Sequence, residues 1–422
     1  MIDIKDLREN PQIFFKAVED KQLKGTVDLE ALLELDKKYL TLLPKVESHR
    51  ALRNQLSTDI SKLTDEAARK KLIDEATQVK NELATQEEDL KKLKTQIDAA
   101  LLWVPNPPAA DVPFGEGEEG NVEVKKGGTI PQFDFEPKDH LDLGKALDII
   151  DTDRGTKIAG FRGYFLKNGG LELHHALLRY ALDLIKQKGF DIFEVPWMVN
   201  PEYFTGTGYF PWGEDDHYVT QDGKALIGTA EVALTSYYAD EILEESQLPI
   251  KLAGISPCYR REIGSYGKDT KGIFRVHQFT KVEQVVLTVA DEDKTRELHD
   301  TMLGYAEELL QGLGLAYHVL LMCTGDMGAG QRRKYDVETW FPSQNTYRET
   351  HSDSYFNDFQ ARRLNIRYRT KDGELKYVYT LNNTVAASPR LLAAVIENYQ
   401  QKDGSIVVPE VLHKYTDLRI IK

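Results

Sequence analysis

The sequence predicts an α+β protein: an antiparallel sheet flanked by helices, preceded by an antiparallel two-helix coiled-coil arm. Three observations lead there. Apolar residues recur at alternating steps of three and four through most of the first hundred positions. Beyond residue 138, strand-like runs and helical patterns mix irregularly, and pairs of strands are joined by short turns, as in an antiparallel sheet and not a doubly wound parallel one. A 41% hydrophobic content over 422 residues is enough to bury a sizeable core.

The arm comes first. Leu32, Leu35, Tyr39, Leu42, Val46, His49, Arg53, Leu56, Ile60 and Leu63 form one heptad series, and Leu72, Ala76, Val79, Leu83, Gln86, Leu90, Leu93, Ile97 and Ala100 a second that is apolar except at Gln86. The short break at Leu63-Thr64-Asp65 folds the two helices back on each other. At ~1.5 Å per residue, each arm of roughly 34 residues reaches about 50 Å. Pro44 lies inside the first arm, where it removes a hydrogen bond and is expected to kink the helix. Lys62, Arg69, Lys70 and Lys71 gather at the hairpin tip.

Residues 103–137 are rich in Pro, Gly and acidic side chains and read as a linker. Gly115, Gly117 and Gly120 match G-x-G-x-x-G, but they follow no strand and sit among glutamates that repel a pyrophosphate, so no dinucleotide site is expected. The expected division is 1–108 with the arm at 29–101, a linker and edge segment at 109–137, and a main domain at 138–422. In the main domain, His174–Gly189 reads as an amphipathic helix, Phe190–Val195 as a strand, and Ile255–Glu262 and Arg275–Thr288 as a strand pair. Arg362–Arg369 and Lys376–Leu381 pair through Lys371-Asp372-Gly373, and Leu391–Gln400 is helical.

Charge and cysteines narrow the function. A net charge of −14 gives no global basic field, so a polyanionic partner has to be met by local patches such as the arm tip. Cys258 and Cys323 form neither a disulfide framework nor a C-x-x-C pair, and no zinc is expected. The N-terminus lacks the apolar core of a signal peptide, and no apolar run approaches a membrane span, which predicts a cytoplasmic protein without a membrane partner. P-loop, H-E-x-x-H and G-x-S-x-G motifs are absent.

The richest stretch is CYRREIGSYGKDTKGIFRVHQFTKVEQ, residues 258–284. With a period of two, Arg260 and Glu262 share a face of one strand, and Arg275, His277, Phe279, Lys281 and Glu283 share a face of the next. So many charges cannot face a dry core, so the face is wet or holds a polar ligand. Lys268 and Lys271 add a cationic loop between the strands. Arginine for phosphate, phenylalanine for base stacking and glutamate for an amine suit a nucleotide together with an amino acid.

These residues carry a resemblance that spans essentially the whole chain: it is similar to bacterial-type seryl-tRNA synthetases, class II aminoacyl-tRNA synthetases. Motif 1 corresponds to the helix and strand ending at Pro196, motif 2 runs from Tyr259-Arg260-Arg261-Glu262 to Glu283, and motif 3 is LNNTVAASPRLLAAVIENYQ with Arg390. Thr229-Ala230-Glu231 resembles the family's T-x-E, and LLWVPNPPAADVP and CTGDMGAGQRRKYDVETW also match. The chain departs from the common pattern at ETHSDSYFN, which keeps Glu349 and Ser352, and at NNTVAASPR, where other class II enzymes are glycine-rich.

The resemblance implies ATP and Mg²⁺ as cofactors and serine, tRNA(Ser) and, as a second acceptor, tRNA(Sec) as substrates. It implies that Arg260 bridges the serine carboxylate and the α-phosphate while Arg390 holds the far phosphates, the two catalytic arginines. Thr229, Ala230, Glu231, Arg260, Glu283, Asn382 and Thr384 are expected around serine, with Thr384 at its hydroxyl. Arg260, Arg261, Glu262, Arg275, Val276, Phe279, Glu349, Thr350, His351, Ser352 and Arg390 are expected around ATP, with adenine on Phe279 near Arg390 or Arg275, and Glu349 and Ser352 on Mg²⁺. The arm is expected to hold the tRNA, with Lys62, Arg69, Lys70 and Lys71 as candidate contacts, in a homodimer. An amino acid:carrier protein ligase would share the core but lack the arm. A non-catalytic paralogue would use the coiled coil for interaction and would have lost one of Arg260, Glu283 or Arg390.

Overall fold

The computed structural model describes residues 1–263 and 272–422. The chain divides into two compact units, one of Ile2–Glu19 and Leu23–Val104, the other of Met1, Asp20–Gln22 and Pro105–Lys422.

In the first unit the heptads form two helices, Leu29–Lys62 and Glu66–Leu101, packed along their length. Val46, Leu56, Val79, Leu83 and Ile97 are buried on a helix pair otherwise largely exposed, the narrow apolar seam of a coiled coil. The two polar seam positions meet: His49 Nδ1 lies 2.8 Å from Gln86 Oε1. The helix continues through Pro44. Asp65 caps the returning helix by accepting from the Ala68 N–H at 2.9 Å. Buried Asp36 receives Arg8 at 2.7 and 3.0 Å, tying the base of the arm to the short helix Ile4–Glu9.

The second unit is built on an eight-stranded sheet: β1 (Val122–Gly127), β2 (Asp191–Glu194), β3 (Ile250–Tyr259), β4 (Gln278–Thr288), β5 (Tyr317–Leu321), β6 (Arg333–Phe341), β7 (Thr346–Asn357) and β8 (Tyr379–Ala387). The order is β1-β5-β6-β7-β8-β4-β3-β2, antiparallel throughout except for the parallel β2–β3 pair at one edge. The helices Asn168–Gln187 and Glu292–Gly312 pack on the sheet, and Leu173, Leu177, Ala181 and Ile185 of the first join Val282, Val286 and Leu381 in the main apolar cluster. Asn383 of β8 donates to the Met302 carbonyl of the second helix at 2.8 Å. A second apolar cluster gathers around Phe204, Ile227, Leu234 and Val285.

Several local expectations need correction. Part of the expected linker is a strand, because Val122–Gly127 pairs with β5. Gly115 and Gly120 lie against Cys323, so close that a Cβ on Gly115 would stand 2.8 Å from its Sγ. Arg362 is helical: Phe359–Leu364 forms a turn and a half of helix, stopped at Asn365 with φ 54°, and the strand is only Arg367–Arg369, paired with Leu375–Tyr377. The strand pair of the motif-rich stretch stops short of its expected turn end, since β3 runs Ile250–Tyr259 and β4 begins at Gln278. Glu262, at φ 56°, is outside extended geometry, although the Arg260 N–H still reaches the His277 carbonyl at 3.0 Å. Lys268 and Lys271 lie outside the described residues.

Candidate active site

One face of β4, β6, β7 and β8 forms the floor of a cavity of about 510 Å³, with Arg260 entering just beyond the end of β3. Strand alternation places Phe279, Lys281 and Glu283 of β4, and Asn382 and Thr384 of β8, on that floor. β7 breaks the alternation. Val337 pairs with His351 and Glu338 with Glu349, leaving Thr350 unopposed in a bulge. Three positions apart, Glu349 and Ser352 would face opposite sides of a regular strand; the bulge brings both to the cavity, followed by Ser354 and Phe356.

Of the expected residues, Glu231, Arg260, Glu262, Val276, Phe279, Glu283, Glu349, Thr350, Ser352, Asn382, Thr384 and Arg390 line this cavity. Five do not. Thr229 is buried, its hydroxyl accepting from the Glu231 N–H at 3.2 Å, and Ala230 packs in the second apolar cluster. Arg261 reaches the Asp215 carbonyl at 2.8 Å. Arg275 is bound to the Glu262 carboxylate at 2.6 Å. The His351 ring turns to the Val385 carbonyl, 3.1 Å from its Nε2.

The charges are arranged in pairs. Arg390 Nη1 donates to the Glu349 carbonyl and carboxylate at 2.9 and 3.1 Å. Burial alone would raise the Glu349 carboxyl, but Arg390 and Lys334 outweigh it and hold it down to about 2. Asp336, opposite Ser352 on β6, goes the other way: burial takes it up to about 6 against the pull of Lys334, with the Glu349 charge adding to the rise. The Arg260 guanidinium stands 5.3 Å from the Phe279 ring centre, a cation–π distance. Burial works against the Arg260 charge, yet Tyr209, Cys258, Glu262 and Glu349 around it hold its pKa above the ordinary arginine value.

Sequence reasoning missed the groups that set Glu231. Tyr209 donates to Oε2 at 2.7 Å and Gln360 to Oε1 at 2.8 Å, and Gln360 in turn accepts from Thr380 at 2.6 Å. Burial raises the Glu231 carboxyl, and the two hydrogen bonds oppose that rise. Gln360 lies three residues beyond ETHSDSYFN, and neither it nor Tyr209 belongs to any of the motifs. Lys281, 2.6 Å from Glu283, shares the β4 face that alternation had marked.

A carboxylate and a hydroxyl side by side on β7, with the Asp336 carboxylate opposite the hydroxyl, form a hard-oxygen wall of the kind that takes a partly hydrated divalent cation. Among the described residues no three His, Cys, Asp or Glu side chains are arranged to hold a metal by themselves.

The comparisons place this geometry. Residues 214–399 match the model described as tRNA synthetase class II core domain (G, H, P, S and T), so the sheet and its cavity are a class II aminoacyl-tRNA synthetase core. Residues 1–108 match the seryl-tRNA synthetase N-terminal domain. The chain is 43% identical over 428 residues to the serine–tRNA ligase of Thermodesulfovibrio yellowstonii, covering 100% of both. It superposes with a TM-score of 0.93 and 37% identity on the seryl-tRNA synthetase of Pyrococcus horikoshii complexed with ATP, covering 100% of this chain and 99% of that one. The cytoplasmic serine–tRNA ligase of Naegleria fowleri in complex with AMP gives 0.88 and 30% over the same shares. The chain belongs to the seryl-tRNA synthetase family. Among the described residues, no helix is long and apolar enough to cross a membrane.

Proposed function

We propose that the protein is a serine–tRNA ligase that activates L-serine with ATP and transfers it to tRNA(Ser), working as a cytoplasmic homodimer. The observation that carries this is convergence. Glu231 of T-x-E, Arg260 and Glu283 of motif 2, Glu349, and Arg390 of motif 3 come from separate parts of the chain and line one cavity.

In the first step a serine carboxylate oxygen attacks the α-phosphorus of ATP, an O–P bond forms, and the bond to pyrophosphate breaks. In the second, a ribose hydroxyl at the tRNA 3′ end attacks the activated carbonyl, and AMP leaves. Neither step needs a protein nucleophile, so the protein's work is positioning and charge neutralisation. Arg260, which lines the cavity, is assigned to both the carboxylate and the α-phosphate, and Arg390 to the far phosphates. Phe279 offers its ring to adenine and Glu262 its carboxylate to the adenine amine. Glu231 and Glu283 hold the serine ammonium. Thr384, whose hydroxyl donates to the Glu283 carboxylate at 3.5 Å, would exchange that long contact for the serine hydroxyl. Glu349 and Ser352 would hold Mg²⁺, which when bound neutralises phosphate charge.

Fold and family favour the arm as the tRNA holder, with exposed Lys62, Arg69, Lys70 and Lys71 as its contacts; tRNA(Sec) is proposed as a second acceptor. The homodimer reading is supported by exposed Phe161, Phe165, Trp197 and Met198, and by Ile192 on the open edge strand β2. Serine-dependent exchange of pyrophosphate into ATP without tRNA, then serine charging of tRNA(Ser), tests the proposal. Exchange supported equally by glycine or alanine would overturn it.

A further inference from the structure

Part of the cavity wall is a glycine-rich segment, Gly328-Ala329-Gly330-Gln331, and all four residues line the cavity. Two glycines in four residues give such a segment wide backbone freedom, so its shape must come from what fastens it. The fastening is a buried lysine. Lys21, only 5% exposed, directs its ammonium at three carbonyls: Gly328 at 3.1 Å, Ala329 at 3.0 Å and Gln331 at 2.6 Å. Three N–H donors meet three acceptors, which leaves nothing of the ammonium unsatisfied. Asn106 completes the hold, its backbone N–H on the Ala329 carbonyl at 2.9 Å and its side chain on the Gly330 carbonyl at 3.1 Å. Every carbonyl of the segment is thus bound.

The fastened segment is linked to the floor. Gln331 accepts from the Gly328 N–H at 2.6 Å through its side-chain oxygen and donates from its amide nitrogen to the Ser354 hydroxyl at 2.9 Å. Ser354 stands directly opposite Asn382 in the β7–β8 register, at the end of the cavity assigned to serine. Gly330 cannot shift toward its neighbour, since even a Cβ there would stand 2.7 Å from the Phe359 ring.

We propose that Lys21 is a positioning residue for amino-acid binding: it holds the Gly328–Gln331 wall so that Gln331 and Ser354 close the serine end of the cavity at the right distance. The lysine touches no substrate. Its effect passes through three carbonyls to Gln331, and so falls on serine and not on ATP. The proposal rests on the assignment of that end to serine.

The test uses the full-length protein and the ATP–pyrophosphate exchange assay. Lys21→Met keeps the stem and removes the donors. It should raise the serine KM about tenfold, the size of one lost charge-assisted contact, while kcat and the ATP KM stay within about twofold. Lys21→Arg, which restores donors, should recover part of that loss. Folding is followed by thermal melting. If Lys21→Met does not fold, Asn106→Ala, which frees the Gly330 and Phe356 carbonyls and leaves the lysine in place, should raise the serine KM in the same selective way. An unchanged serine KM, or serine and ATP KM rising together, overturns the proposal. A Thr384→Val control separates the two levels. If it leaves the preference for serine over alanine unmoved, the serine end itself is misassigned; if it shifts that preference while Lys21→Met is silent, only the role of Lys21 fails.

Discussion

Arg390 and Glu349 neutralise each other at the cavity wall, with one guanidinium nitrogen serving both the carbonyl and the carboxylate of the same glutamate. The two are proposed for different ligands, Arg390 for phosphate and Glu349 for a cation, so arrival of the metal–nucleotide exchanges one neutral pair for two. The carboxylate, held down to about 2, is ionised throughout the working pH range and needs no proton release to bind a cation. Glu349→Gln should therefore shift the Mg²⁺ concentration giving half-maximal exchange upward by about 10–100-fold. A magnesium titration of the exchange rate checks this, and an unmoved midpoint would remove Glu349 from the metal site.

Arg260 is the cation proposed to touch both reacting groups. Arg260→Ala should cut serine-dependent exchange by about 10²–10³, the usual loss for one preorganised donor. Exchange near the wild-type rate would show that motif 2 is wrongly assigned.

Thr384→Val keeps the volume and removes the hydroxyl. Sites that hydrogen-bond a substrate hydroxyl discriminate strongly against analogues lacking it, so the ratio of kcat/KM for serine over alanine should fall. No change in that ratio would mean that another group reads the hydroxyl.

The arm should matter only for the second reaction. Replacing Lys62, Arg69, Lys70 and Lys71 with Gln should leave exchange intact, weaken tRNA(Ser) binding, and flatten its dependence on salt by about 0.7–0.9 of a log unit per lost phosphate contact. Titrations at several salt concentrations decide; parallel lines for variant and wild type would place the contacts elsewhere.

Asp353 lies on the far face of β7, fully buried, and neither of its oxygens has a hydrogen-bond partner among the described residues. Its row neighbours across the sheet, Asn383 and Gln284, also present unpartnered oxygens. Burial raises the carboxyl well above its ordinary value, with the Asp300 charge adding and Arg333 opposing. A carboxyl raised on folding contributes stability that is complete below its unfolded pKa and is lost as pH rises toward the folded one. Asp353→Asn should therefore melt higher than wild type at pH 8, with the gap closing toward pH 5. His299 stands 3.6 Å away, and burial with the Arg333 charge lowers it to about 3, which favours its neutral form beside Asp353. A melting difference independent of pH would show that the carboxyl is not protonated in the fold.

Legibility in the sequence followed the range of the interactions. The arm could be read residue by residue because a heptad records its partner helix in its own spacing: Leu56, Val79 and Leu83 are buried where the series put them. Phe279, Lys281 and Glu283 were equally visible, since one strand's alternation suffices to put them on one face. The last half of the Phe359–Leu364 helix, from Arg362, reads as the start of a strand because six residues hold less than two full turns of periodicity. The Tyr209–Glu231–Gln360 group was invisible to local patterns, as Gln360 lies 129 positions from the glutamate it holds. The bulge at Thr350 left no mark, because an extra residue in a strand looks like any other residue.

That bulge divides the strand's tolerance of change into two kinds. Thr350 acts as a phase slip: Glu349 just before it lines the cavity, and after it Ser352, Ser354 and Phe356 do. The identity of the slipped residue is loosely constrained, but the residue count is not. Removing one position would turn Ser352, Ser354 and Phe356 into the helix-packed layer and bring His351, Asp353 and Tyr355 out to meet the substrates. The ETHSDSYFN stretch should therefore tolerate a change of letter at Thr350 more readily than a change of length.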